Sequence, residues 1–345
     1  MSALDRPIER RHIAAQIAPI EPFLNAPDVF EVVVIEPGVA WVETPEGWQD
    51  HRVPDMTFER LENLARVVAT FSRQGVDDKR PILSATLPGN ERIQIVLPPA
   101  VAPGLVSLTI RKPSRTTYSL DELRQRSLFA EVATTRGARS TIDESLGALL
   151  AAGRVAEFLR EAVVAKKNIL ISGATGSGKT TLSKALIGEI PAHERIITIE
   201  DTPELVVPHR NRVQLFYSKG GQGVAKVGPQ ELLESCLRMR PDRILLQELR
   251  DGTAFYYLRN VNSGHPGSIT TVHADSAALA FEQLTLLVKE SAAGSDLERS
   301  DIRDLLRLLV DVVVQCKRVG GKFRVTEVYF APLHRAANAE FASGR

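Results

Sequence analysis

The run Gly173-Ala174-Thr175-Gly176-Ser177-Gly178-Lys179-Thr180 constrains this chain more than any other feature. It fits G-x-x-x-x-G-K-[ST], and it lies between an apolar run at 168–172 and a helical stretch from 179 to about 187. A glycine-rich turn between a buried strand and a helix can curl so that its N–H groups face a phosphate, and the helix N-terminus adds partial positive charge. Lys179 is expected on the β- and γ-phosphates and the Thr180 hydroxyl on Mg²⁺. Gly173 through Thr180, with Thr181 behind them, therefore form the expected cradle of a nucleoside triphosphate.

A parallel sheet must surround such a loop, and the second half of the chain supplies one. Apolar runs at 195–199, 243–246 and 268–272 alternate with helical or loop segments, the pattern of a buried sheet covered on both faces. A helix is expected over 144–166, and a late hairpin, 312–316 with 323–329 across Gly320-Gly321, is expected to extend the sheet edge. The first half reads differently. Period-two segments at 30–35, 39–43, 82–87, 92–97 and 106–111, with one amphipathic helix at about 57–74, indicate a small α+β domain of antiparallel pairs. Polar residues at 112–143 read as a linker with one short helix, long enough to let one domain move over the other or exchange between protomers. The expected division is thus 1–111, 112–143 and 144–345, an α/β P-loop domain behind a smaller α+β domain.

Bulk properties exclude several classes. Among 345 residues, 43 Lys+Arg balance 42 Asp+Glu, so no global charge drives binding to nucleic acid or anionic membrane. No apolar run approaches the roughly 18 residues of a membrane span, and the mixed-charge opening residues are not expected to be a secretory signal. Two distant cysteines, Cys236 and Cys316, are too few for a disulfide framework or a four-cysteine zinc site.

A P-loop does not say what is done with the nucleotide; the ends of neighbouring strands do. The apolar run 243–246 leads through Gln247 to Glu248, a carboxylate placed to orient a water and to hold the Mg²⁺ shell. Gln247 stands where an Mg²⁺-binding aspartate usually precedes it. Glu200 and Asp201 end another strand and are candidates for positioning water or for capping the next segment of chain. His265 and His273 flank a short strand; a histidine there can bond a γ-phosphate and report its loss.

Taken together, the P-loop, IEDTPEL, RPDRILLQELR and SGHPGSITTVHADS resemble the secretion ATPases, with their Walker A, Asp, Walker B and His boxes. The chain is most similar to the traffic ATPases of bacterial type IV secretion, and the resemblance extends into the first half through ERIQIVLPPAV and SLTIRKPS. That resemblance implies a RecA-like ATPase domain, ATP and Mg²⁺ as ligands, and a hexameric ring with nucleotide sites between the two domains. It also implies a cytoplasmic place at the inner membrane, beside other secretion ATPases and channel proteins, powering pilus assembly or substrate transfer. Gln247 departs from the family's glycine and puts the hydrolysis rate in question.

Strand alternation sets Arg92 with Gln94, and Arg111 with Ser107 and Thr109, on the polar sides of two neighbouring strands. The resemblance assigns both arginines to the nucleotide's phosphates; otherwise they belong to a solvated face. Three other readings of the chain stay open. A pilus retraction motor shares the boxes, and a DNA translocase would need a basic groove with stacking aromatics. A nucleotide-dependent docking scaffold with weak turnover rests on Gln247 alone.

Overall fold

A computed structural model of the protein describes residues 7–113, 117–130, 141–262 and 264–334. The alternating segments of the first half pair as strands β1 (Glu31–Glu36), β2 (Val39–Thr44), β3 (Gly47–Arg52), β4 (Ile82–Thr86), β5 (Arg92–Val96) and β6 (Ser107–Arg111). They form one antiparallel sheet in the order β3-β2-β1-β6-β5-β4. Thr57 caps the helix Phe58–Phe71 by accepting from the amide of Arg60 at 3.2 Å. That helix lays Leu61, Leu64 and Val68 against Val32, Val34, Ile95 and Leu108 on one face of the sheet.

The opposite face is not solvated. Val33, Ile35, Trp41 and Val96 enter a core shared with Leu232, Leu233 and Cys236 of the second half. Gln94 is buried there and donates to Ser235 Oγ at 2.9 Å, while Arg240 pairs with Glu43 at 2.7 Å and Arg210 with Asp50 at 2.7 Å. The two halves are therefore joined by both apolar burial and specific polar bonds.

The second half contributes β7 (Ile169–Gly173), β8 (Ile196–Glu200), β9 (Arg212–Phe216), β10 (Arg243–Leu246), β11 (Ile269–Val272), β12 (Val312–Val319) and β13 (Lys322–Phe330). The groups β9-β8-β10 and β11-β7-β12-β13 meet through a parallel bridge from Glu248 to Thr271. All neighbours are parallel except the terminal hairpin β12–β13. Ile169 and Ile171 face the helices Val155–Val164 and Lys179–Gly188, whereas Leu170 faces Pro229–Cys236, Thr253–Asn262, Ala277–Glu290 and Arg299–Leu309. Apolar side chains on successive residues are thus required, which is why β7 reads as a continuous apolar run.

Some elements differ from the sequence-based expectation. The single helix expected at 144–166 is two, Thr141–Ala151 and Val155–Val164, because Gly153 adopts a left-handed φ of 71° between them. Strands β3 and β9 are additions to the expected set. Both are sheet edges; β3 (GWQDHR) buries none of its residues and β9 (RVQLF) buries only Val213 and Leu215. The helix Pro7–Ile17 buries one residue, Ile13, and carries little amphipathic pattern. Within the expected linker the helix Leu120–Gln125 is present with a Ser119/Glu122 capping box, and 131–140 lie outside the described residues. No helix among the described residues is long and apolar enough to cross a membrane.

Candidate nucleotide site

The P-loop leaves the carboxyl end of β7, where the parallel strands converge. Gly173 has no room for a side chain: an added Cβ would sit 2.4 Å from the Cys316 carbonyl oxygen and from Ser177 Oγ. Gly178, at φ 96°, turns the loop into the helix Lys179–Gly188. Ala174, Thr175 and Gly176 are exposed at its rim, as are Thr180 and Thr181 on the first turn. The buried Lys179 ammonium donates to the carbonyls of Gly173 at 2.6 Å and Ala174 at 3.0 Å, and burial lowers its pKa. Ser177 Oγ is buried without a hydrogen-bond partner among the described residues. A desolvated ammonium held by two carbonyls, an unpaired hydroxyl and a glycine-rich loop fit a polyphosphate.

Glu248 follows β10 and reaches toward this loop. Its Oε1 lies 2.6 Å from His273 Nε2, and its Oε2 accepts from Arg250 Nε at 2.6 Å and also meets Arg250 Nη2. His273 Nδ1 is 3.4 Å from Lys179 Nζ. An ammonium can only donate, so Nδ1 is the accepting nitrogen and the imidazole proton belongs on Nε2. Beyond Glu248, Arg250 Nη1 lies 3.4 Å from Asp201 Oδ2. Lys179, His273, Glu248, Arg250 and Asp201 thus form one charged chain along the carboxyl edge of the sheet. Sequence pattern alone does not single out Arg250; its one signal is a cation two residues beyond a strand-ending carboxylate.

Glu200 takes a different place from its neighbour. Fully buried, it accepts from Thr198 Oγ1 at 2.6 Å, the amides of Glu204 and Leu205 at 2.9 Å each, and Gln214 Nε2 at 3.0 Å. Its carboxylate organises the 200–205 loop, the capping alternative, while Asp201 faces Arg250. Gln247 places its backbone in the join between strands: its amide donates to Ile199 at 3.2 Å and its carbonyl accepts from Thr271 Oγ1 at 3.3 Å.

His265 and the two arginines lie away from the P-loop within this chain. His265 precedes the amino end of β11, the end opposite His273, and burial followed by the charge of Arg240 lowers its pKa. Arg92 and Arg111 are direct cross-strand partners, as alternation requires, and both are exposed. Arg111 Nε stands 3.6 Å from Glu31 Oε1, next to Glu43 and its partner Arg240, which leads into the amino end of β10. Burial, then the neighbouring Glu43 charge, pushes Glu31 up to about 7.

A profile of the family described as "Type II/IV secretion system protein" matches residues 14–345. The chain belongs to the type II/IV secretion system protein family. Within it, the type IV secretion system protein VirB11 of Bartonella quintana is 58% identical over 331 residues, covering 93% of each chain. The VirB11 protein of Brucella suis is 44% identical over 322 residues, covering 92% of this chain and 89% of that one. Among solved structures, the VirB11 ATPase of the Brucella suis type IV secretion system, crystallised with sulphate, superposes with a TM-score of 0.90 at 42% identity, over 96% of this chain and 98% of that one. This secretion ATPase accordingly has the α/β, RecA-like fold expected from its boxes, and it is a nucleotide-using component of type IV secretion.

Proposed function

We propose that this secretion ATPase hydrolyses ATP at the Lys179–His273–Glu248–Arg250 chain and converts the cycle into movement of its domains within a ring of copies. The observation that carries the reading is Glu248: a largely buried carboxylate, linked through His273 to the P-loop lysine. When phosphates enter, the Lys179 ammonium exchanges two carbonyls for the β- and γ-oxygens, where charge builds during transfer. His273 Nδ1 then loses its donor and is free to bond a γ-phosphate oxygen. Glu248 orients the attacking water and takes its proton, with Arg250 holding the carboxylate in place. Mg²⁺ would be held by Thr180 and, through water, by Glu248, and it would supply charge neutralisation on the bridging oxygens.

Arg92 and Arg111 stand at the amino ends of the second-half strands and the P-loop at their carboxyl ends, so the arginines serve the site of a neighbouring copy. Such a trans arrangement needs a closed ring, for which a hexamer is the family's form. We place the ring at the cytoplasmic face of the inner membrane, among other secretion ATPases and channel proteins. Phosphate release by the purified protein, measured beside light-scattering mass with and without a non-hydrolysable ATP analogue, tests the reading. Turnover no greater than that of Lys179→Ala would overturn it.

A further inference from the structure

The polarity of the site says where the nucleoside must go. Glu248 and His273 lie beyond β7 on the β11 side, so the γ-phosphate faces that side. The nucleoside end of the same ligand then leaves toward β12 and β13, on the other side of β7. There an aromatic ring waits. Phe323 is 59% exposed, yet it lies against the P-loop: a Cβ added to Gly178 would sit 3.1 Å from its Cγ and 3.3 Å from its Cδ1.

A bulge aims the ring there. Gln315 pairs with Glu327 but Cys316 pairs with Val325, so Thr326 is an extra residue in β13. Beyond the bulge, Tyr329 packs with Phe281 on one face of the sheet, while on the other Phe330 packs on Phe158 and, with Val328, joins the core that also holds the P-loop helix. The extra residue reverses the alternation, bringing Val325 and Phe323 to the P-loop face. Arg318, the cross-strand partner of Phe323, keeps its guanidinium 6.0 Å from the ring centroid and donates to the Gly321 carbonyl at 3.2 Å. The ring thus stands at the edge of the phosphate loop with more than half of its surface open to a ligand.

We propose that Phe323 is the stacking platform for the nucleobase of the bound nucleotide. Stacking on a ring is tolerant of base identity, so the platform supplies affinity and direction, and hydrogen bonds would have to supply any choice of base. The proposal rests on the nucleotide reading of the P-loop.

Calorimetric titration of the full-length protein with a non-hydrolysable ATP analogue and with inorganic tripolyphosphate, each with Mg²⁺, separates the two ideas. Phe323→Ala and Phe323→Leu should weaken the analogue about tenfold or more, since base stacking is of that order. Tripolyphosphate, which has no base, should bind unchanged, and Phe323→Trp should restore the analogue. Leucine keeps the apolar contact with Gly178, so a shared loss for both ligands would show that the ring merely supports the loop and would overturn the proposal. Undiminished analogue binding in both variants would overturn it as well. A wild-type protein that binds neither ligand would sink the nucleotide reading itself.

Discussion

Glu248 and His273 touch across the join between β10 and β11, with Oε1 and Nε2 2.6 Å apart. Neither strand alone would bring a base to the P-loop. The parallel bridge from Glu248 to Thr271 links the two segments just past the end of β10, and His273 directly follows β11. Sheet register therefore sets the contact through which, in the proposed cycle, phosphate binding at Lys179 would reach Glu248.

Replacing Glu248 by Gln keeps the shape and removes the charge that orients water. ATP should bind with nearly unchanged affinity while turnover falls by ~10²-fold or more. Equilibrium binding beside a phosphate-release assay checks both halves of the statement; retained turnover would move the catalytic role to Asp201.

Lys179→Ala should abolish hydrolysis, with losses of about 10²-fold or greater. The lysine is desolvated and held by two carbonyls and His273 inside the loop, where its ammonium would meet the phosphates directly. More than about a tenth of wild-type turnover in the variant would show that the loop is misassigned.

Arg250 touches both Glu248 and Asp201, and its removal leaves the Glu248 carboxylate without its guanidinium fork. Arg250→Ala should lower kcat with little change in nucleotide affinity, and Arg250→Lys should restore only part, because a point charge lacks the fork. Combined with Glu248→Gln, its effect should vanish, since the partner it positions is already silent. Additive losses would give Arg250 a separate role.

Glycines and strand-end charges make much of the site legible in sequence, because a phosphate loop needs both a local pattern and a flanking strand and helix. What period-two reading misses lies at sheet edges: β3 and β9 have few buried residues to reveal them. The buried role of Glu200 is equally hidden. Whether a strand-end carboxylate faces a ligand or its own loop depends on Gln214 and on the amides of Glu204 and Leu205, not on its position beside Asp201. Alternation does place Arg92 and Arg111 side by side, but it cannot tell that the rest of that face is covered by the second half of the chain.

That covered face gives a pH dependence. Glu31 is buried beside Glu43 and is raised from an ordinary 4.5 to about 7. Between these values the folded protein holds a proton that the unfolded chain has released, so stability falls as pH rises from about 4.5 to about 7. Glu31→Gln should therefore be nearly neutral at pH ~5 and stabilise by on the order of 2 kcal/mol at pH ~8. Thermal unfolding at the two pH values measures it, and an equal effect at both would assign the change to lost contacts with Arg111 instead.

The trans role of the arginines gives the most discriminating experiment. Within one chain Arg111 borders Glu31 near the amino end of β10, whereas Lys179 stands at the carboxyl end of β7. If Arg111 reaches a neighbour's phosphates, Arg111→Ala should leave nucleotide binding within about tenfold and cut turnover by ~10³, the effect expected of an arginine finger. Lys179→Ala should be just as inactive, for a different reason. Mixed rings change the outcome: a copy with intact Lys179 can be completed by a neighbour with intact Arg111. Co-assembling the two inactive variants should recover a measurable fraction of wild-type turnover, rising with the share of productive neighbours. Arginines acting on their own chain's site predict no such recovery, and unchanged turnover in Arg111→Ala alone would return both residues to a solvated face.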